Sequence, residues 1–211
     1  MEILSLIEQF QFNFLDDSRW QFIVSGLKNT IIITFFAVLL GVFLGFLIAI
    51  VRSTHDKTGK LKILNVICRV YLTVIRGTPT MVQLLIVYYV IFATVDPGKV
   101  IVAIIAFGMN SAAYVAEIVR SGIMSIDQGQ FEAGRSLGLN YTQTMIKIIL
   151  PQAVKNILPA LGNEFITLLK DTSLITVIGG KELTYAAKAI IAKTYQGLFP
   201  PVSYTHLTLP T

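Results

Sequence analysis

The chain has 211 residues, 54% of them hydrophobic and only 14% charged, with a mean hydropathy of +0.70 and a formal net charge of +5. Soluble domains carry about 25% charged residues, so this composition excludes an ordinary soluble fold and predicts an integral membrane protein of apolar helices, each about 20 residues per crossing. The small cationic excess fits the Lys and Arg of cytoplasmic loops and not a nucleic-acid surface, and the single Cys68 excludes an internal disulfide and reads as a small hydrophobe in an apolar helix.

Residues 1–21 form an extracytoplasmic, interfacial segment in which Phe10, Phe12, Phe14 and Trp20 stand among acids. Glu2 and Glu8 occupy the place of a basic leader region, so no cleavable signal peptide is expected. Phe22–Val51 is the first apolar run. Its Gly41 and Gly45, four apart, predict close approach of another helix. Arg52–Lys62 is polar and basic, which places it in the cytoplasm and the amino terminus outside. Residues 61–95 read as one crossing preceded by a cytoplasmic elbow, with Arg76-Gly77-Thr78-Pro79 at the break and Pro79 starting the crossing. Two crossings here would put the loop with Arg120, Arg135 and Lys147 outside, against the charge rule. Asp96-Pro97-Gly98 is a turn. Val100–Val119 returns inward, residues 120–147 form a polar loop, and Lys155–Ile178 crosses outward, bent or thinned near Pro159 and Gly162. Gly179-Gly180 breaks that run, and Lys181–Tyr195 is an amphipathic helix on the outer surface with Leu183, Ala187, Ile190 and Ile191 on one face. Helical period then stops. Residues 200–211, with Pro200-Pro201 and Pro210, read as a non-native tail of translated adapter sequence, and a genuine short extended tail is the alternative.

The polar loop carries the most specific pattern. Phe131–Leu137 predicts one to two helical turns with Glu132 in the first, favourable against the helix dipole. Gly138 is placed to end that helix in a left-handed conformation. Asn140 and Gln143 form a capping pair for the next helix. Ala133 and Gly134 leave one face nearly bare, so a short, smooth helix is expected to project into the cytoplasm, where it can dock in a groove of another protein or serve as a mere connector. Glu132-Ala133-Gly134, Gly138 after three intervening residues, and Ile148-Ile149-Leu150-Pro151 resemble the EAA signature of membrane-spanning subunits of ABC importers, with Gly134 in place of the second alanine. Leu27–Thr30, Arg76–Pro79, Ala113–Ile123, Gly129-Gln130 and Lys170–Leu174 match in order. Over residues 22–199 the chain thus resembles a permease of the polar amino acid group of type I ABC importers.

The resemblance implies an all-α polytopic bundle with about four of five expected crossings present and the last truncated. It also implies a bacterial inner-membrane location and transport of a polar amino acid. Its implied partners are cytoplasmic ABC ATPases, a second permease subunit, identical or homologous, an extracytoplasmic solute-binding protein, and membrane lipid. The loop at 127–151 would couple to the ATPase through Glu132, Ala133, Gly134, Gly138, Ile148, Leu150 and Pro151. Independently, none of the Gly-Lys pairs at 59–60, 98–99 and 180–181 is followed by Ser or Thr, so there is no phosphate-binding loop, and ATP and its Mg belong to a partner. No cofactor, metal-ligand spacing or nucleophile–base pair is expected in this chain, which is therefore no enzyme. Asn163, Glu164, Thr167, Lys170 and Asp171 are intramembrane polar residues. Glu164, Thr167 and Asp171 share a helix face suited to a zwitterion, and an internal Glu164–Lys170–Asp171 network that glues helices or gates a dimer seam is the equal alternative. Glu117 and Arg120 read as a structural ion pair, Arg76 as an interface anchor and His55 as a solvated loop residue. The rival readings are a type I importer of a different small solute and, from other classes, an ion channel or a membrane-embedded enzyme.

Overall fold

The computed structural model describes residues 6–197, and among these the secondary structure is helical with no strand. An all-helical architecture follows from a backbone that must satisfy its own hydrogen bonds in lipid. The tail at 200–211 and the fifth crossing expected after Phe199 lie outside the described residues. From Leu6 on the amino-terminal segment is helical: α1 (Leu6–Phe10) continues as a wide π turn over Gln11–Leu15. Positive φ at Asp17 (51°) and Ser18 (54°) then turns the chain. Arg19 holds this turn by pairing with Asp17 at 2.8 Å, donating to the Phe12 carbonyl and lying 5.2 Å above the Phe12 ring.

Helix α2 (Trp20–Thr58) has 39 residues, about 58 Å at 1.5 Å per residue, and so overruns a ~30 Å hydrocarbon core. The expected loop at Arg52–Lys62 is thus helix as far as Thr58. Charged residues leave helical propensity intact once the helix is nucleated, and only Gly59, at φ 64° with its N–H on the His55 carbonyl, stops it. His55 is accordingly a helix-end residue whose Nδ1 lies 2.9 Å from the Lys60 carbonyl, and not a loop residue.

Helix α3 (Lys62–Gly77) meets α4 (Thr80–Ile86, continued as a π turn to Ile91) at 112°. Pro79 forces this corner. It lacks an N–H and holds Thr78 extended (φ −121°, ψ 145°). Gln83 then covers carbonyls that α3 leaves open, its amide donating to Ile75 O (2.7 Å) and Thr78 O (3.0 Å). The break expected at Arg76–Pro79 is therefore present.

Helix α5 (Lys99–Met124) is the central element, with Val102, Ala103, Phe107, Ala112, Ala113 and Val115 fully buried. It crosses α2 at very close range. A Cβ on Gly41 would stand 2.7 Å from Ser111 Cβ, one on Gly45 2.7 Å from Val115 Cβ, and one on Gly108 2.6 Å from Leu40 Cδ2. The paired glycines of α2 thus do what their spacing predicts. Around this crossing Ile33, Leu84, Phe107, Leu168 and Ile175 form the main core.

Helix α6 (Gln128–Ser136) and the short α7 (Tyr141–Thr144) fill the expected polar loop. A π turn at Met145–Ile149 joins α7 to α8 (Leu150–Asp171), and Pro159 does not break α8. A 3-10 segment, Thr172–Ile178, ends at Gly179 (φ 72°), and α9 (Leu183–Thr194) returns along the start of α2. Leu183, Ala187 and Ile190 are buried as expected, joined by Ala186, while Ile191 is half-buried. Glu182 caps α9, its carboxylate accepting from Thr184 and Tyr185 N–H, both at 2.7 Å. Burial pushes this carboxyl above the usual glutamate range, against the pull of those N–H groups.

Trp20–Asp56 and Lys99–Met124 are each long and apolar enough to cross a membrane, and the bent pair α3–α4 qualifies as one broken span. Helix α8 is less apolar because it carries Lys155, Glu164, Lys170 and Asp171. That composition suits a helix with one face away from lipid.

Candidate functional site

The signature residues gather at one end of the bundle, on α6, the link to α7, the π turn and the start of α8. Asp127 caps α6, its carboxylate accepting from Gly129 N–H at 2.6 Å. The helix therefore starts three residues earlier than the sequence suggested. This moves Glu132 out of the first turn, so the expected dipole contribution goes to Asp127 and not to Glu132. At the other end Gly138 has φ 76°. Its N–H donates to Arg135 O (2.9 Å) and Leu139 N–H to Gly134 O (3.1 Å), the paired bonds of a Schellman cap. Asn140 follows at once with a complete capping box: Asn140 Oδ1 accepts from Gln143 N–H (2.9 Å), and Gln143 Oε1 accepts from Asn140 N–H (3.0 Å). Two helix ends thus meet in a corner whose backbone groups are satisfied locally.

The bare face of α6 divides into an internal and an external part. Gly134 is buried, and a Cβ there would come within 2.5 Å of Thr144 Cγ2, so it seats α6 on α7 and offers nothing to a partner. Ala133 and Glu132 are exposed, as are Arg135, Ser136 and Gly138. Leu137 is 76% exposed on the tip. Phe131 stacks on Tyr141 at 6.2 Å, and Gln130 accepts from Gln152 of α8 at 3.2 Å. Of the Ile148–Pro151 run, Ile149 is fully buried, Ile148 and Leu150 are half-buried, and Pro151 is exposed. The π turn ends two residues before Pro151 and contains Lys147, the residue whose carbonyl the proline ring would crowd in a regular helix. A cavity of about 280 Å³ behind α6 is lined by Asp56, Arg120, Ile126 and Phe131 among others.

On α8, Glu164, Lys170 and Asp171 are half-buried, whereas Asn163 and Thr167 are exposed. Thr167 returns its hydroxyl to Asn163 O at 3.0 Å. Glu164 faces Ser111 of α5, and Asp171 lies close enough to act on it electrostatically. Among the described residues Lys170 forms no ion pair with Glu164 or Asp171. The polar stripe runs along the edge between the chain's own core, marked by Ile157 and Leu168, and its exposed surface.

Glu117 does more than pair with Arg120. Its carboxylate lies 3.4 Å from Arg120 Nε, 3.6 Å from Arg52 Nη1 and 3.9 Å from Arg76 Nη1, tying α2, α3 and α5 together. The sequence reading missed Asn110, buried in α5, which donates to Gln83 Oε1 at 2.9 Å and so locks the α3–α4 corner to the central helix. A polar residue in the middle of an apolar run was the available signal. It missed the Asp127 cap too, although Asp127 followed by Gln130 has capping-box form.

These elements have counterparts in known proteins. The family model for the inner membrane component of binding-protein-dependent transport systems matches residues 37–205. The putative glutamine transport system permease protein of Rickettsia prowazekii is 36% identical, covering 85% of this chain and 81% of that protein. The L-cystine transport system permease protein of Bacillus subtilis is 37% identical, covering 90% and 80% respectively. In the crystal structure of an amino acid ABC transporter with histidines, a chain 37% identical superposes with a TM-score of 0.80 over 98% of this chain and 90% of its own length. A MetNI methionine ABC transporter chain, 18% identical, shares the fold with a TM-score of 0.64 over 90% of this chain and 98% of its own. With its helical bundle, capped signature corner and polar α8, the chain belongs to the family of inner membrane components of binding-protein-dependent transport systems.

Proposed function

We propose that this chain is the membrane-spanning subunit of an ATP-driven importer of a polar amino acid, that it pairs with a second permease subunit, and that α6 transmits the work of a cytoplasmic ABC ATPase. The relatives, named for glutamine, cystine and arginine transport, support the amino acid class. The observation that carries the coupling role is the tip of α6. Leu137 is 76% exposed on a helix end that a Schellman cap and a capping box hold in one conformation. An exposed large apolar group on a preorganised knob suits insertion in a partner's groove. Glu132 and Arg135 flank it as the polar rim, with the small Ala133 between them. Ile149 roots the knob in the bundle, with Ile148, Leu150 and Pro151 setting its base.

The signature end is cytoplasmic in this reading and the amino terminus outside, supported by the basic residues Arg52, Lys57, Lys60, Lys62, Arg120, Arg135 and Lys147 on that side. ATP and Mg are held by the ATPase, and an extracytoplasmic binding protein delivers the solute to the opposite face. Asn163, Glu164, Thr167, Lys170 and Asp171 line the path against the second subunit, where Glu164 and Asp171 accept the solute ammonium and Lys170 meets its carboxylate.

Leu137→Asp tests the coupling role, because the side chain is mostly exposed and adds little to the chain's own core. The variant should insert and fold as the wild type does while losing co-purification with the ATPase and losing uptake. Wild-type ATPase association and uptake would sink the proposal.

A further inference from the structure

A cavity of about 300 Å³ opens between α2, α3 and α5, and its polar lining is Arg52, Arg69, Arg76, Arg120, Glu117 and Thr73. Four guanidinium groups face one carboxylate, an excess of three positive charges in a small space. Glu117 cannot saturate them. Its contacts of 3.4, 3.6 and 3.9 Å are looser than the 2.7–2.9 Å of strong charge-assisted hydrogen bonds. Each guanidinium has five N–H donors, so most remain free to donate. Arg69 has no carboxylate partner at all among the described residues. Arg76 is steadied from the side by the Tyr114 ring, 5.9 Å from its central carbon.

The position of the cluster matters as much as its charge. Arg52 directly follows the apolar run ending at Val51, and Arg120 the run ending at Val119, so both stand where hydrocarbon gives way to headgroups. Arg69, Thr73 and Arg76 follow one another along α3 at i, i+4 and i+7, on one face. The neighbouring face of the same helix shows Ile63, Val66, Ile67, Val70 and Val74, each more than half exposed. A forked cationic pocket beside bare aliphatic side chains matches a molecule with a phosphate head and an acyl tail.

We infer that the Arg52–Arg69–Arg76–Arg120 pocket binds a phosphate group, supplied by an anionic phospholipid whose chains lie on the exposed face of α3. The bound phosphate supplies the counter-charge that Glu117 alone cannot, and it braces α2, α3 and α5 at the end of the bundle that carries α6.

The test uses the assembled transporter, with its ATPase subunits, in nanodiscs of phosphatidylcholine containing phosphatidylglycerol. Lipid retained after mild detergent extraction is counted by native mass spectrometry. A parallel arm offers inorganic phosphate to the complex in phosphatidylcholine alone. Wild type should retain phosphatidylglycerol selectively. Arg69→Gln, which breaks no ion pair among the described residues, should bind it on the order of tenfold less tightly, the effect of one charged hydrogen-bonding group. Lys62→Gln removes a charge from the same helix outside the pocket and should change nothing. Retention of inorganic phosphate but not lipid, lost equally in Arg69→Gln, would support the phosphate site and identify a soluble source. Equal retention by wild type and Arg69→Gln, or equal losses in Arg69→Gln and Lys62→Gln, would overturn the assignment.

Discussion

At the α2–α5 crossing, rigidity comes from side-chain contact: Gly41, Gly45 and Gly108 let two long helices approach until no Cβ fits between them. At the α6–α7 corner it comes from main-chain hydrogen bonds: the Gly138 cap and the Asn140–Gln143 box fix the path of the chain while Glu132, Ala133, Arg135 and Leu137 stay exposed. The first device consumes surface and suits a helix pair that must not move. The second leaves surface free and suits a knob that must keep its shape while waiting for a partner. A part that transmits force needs both, a stiff root and an open face.

Filling the crossing should have the largest effect. Gly45→Leu forces a branched side chain against Val115 and the Ala112 carbonyl, and overpacking of this kind costs about 3 kcal/mol. Thermal unfolding of the purified complex should shift downward as a whole. An unchanged midpoint would remove the crossing as the stiff root.

Gly138→Val comes next. A β-branched residue at φ 76° costs about 1–2 kcal/mol. The cost is local, so hydrogen exchange should rise across α6 alone while the midpoint of the whole complex barely moves. A global shift instead would mean that the corner is part of the core.

Asn140→Ala removes the side-chain acceptor of the capping box and should cost about 1 kcal/mol, read as faster exchange at Gln143 N–H. Glu132→Lys should have the smallest structural effect, a few tenths of a kcal/mol, because Glu132 lies beyond the first turn. If it still abolishes uptake with α6 exchange unchanged, the loss belongs to docking and not to folding.

What the sequence revealed and what it hid divide along the same line as these two devices. Local hydrogen bonds are written in short spacings, so the Gly138 stop and the Asn140–Gln143 cap were readable in order. Close helix approach was readable from Gly41 and Gly45, though not its partner: nothing in the spacing of α2 points to Ser111 or Val115. The start of α6 was misplaced because Asp127 was passed over, and with it the role of Glu132 in the dipole. The loop expected after Val51 is helix because charge ends a membrane span without ending a helix, a distinction hydropathy does not make. Glu117 with Arg120 was readable from its spacing on one helix, whereas the arrival of Arg52 and Arg76 on the same carboxylate, and of Asn110 on Gln83, depends on how separate helices rotate against one another. On α8 the polar stripe was legible by its period. That Lys170 does not turn back to Glu164 or Asp171 was not, because side-chain direction at half-buried positions is set by neighbours.

The π turn at Met145–Ile149 also sets a phase. One residue more than a regular helical turn is accommodated there, which rotates everything downstream by about 100° relative to an unbroken helix. The seat of α6 on Thr144 and the stripe at Glu164 and Asp171 ride on the same continuous rod, on opposite sides of that slip. The azimuth at which a partner would strike the knob and the azimuth at which the polar groups stand are therefore adjustable against each other by a single inserted or deleted residue, with neither surface altered. A lineage could retune its gearing there while both contact faces stay as they are.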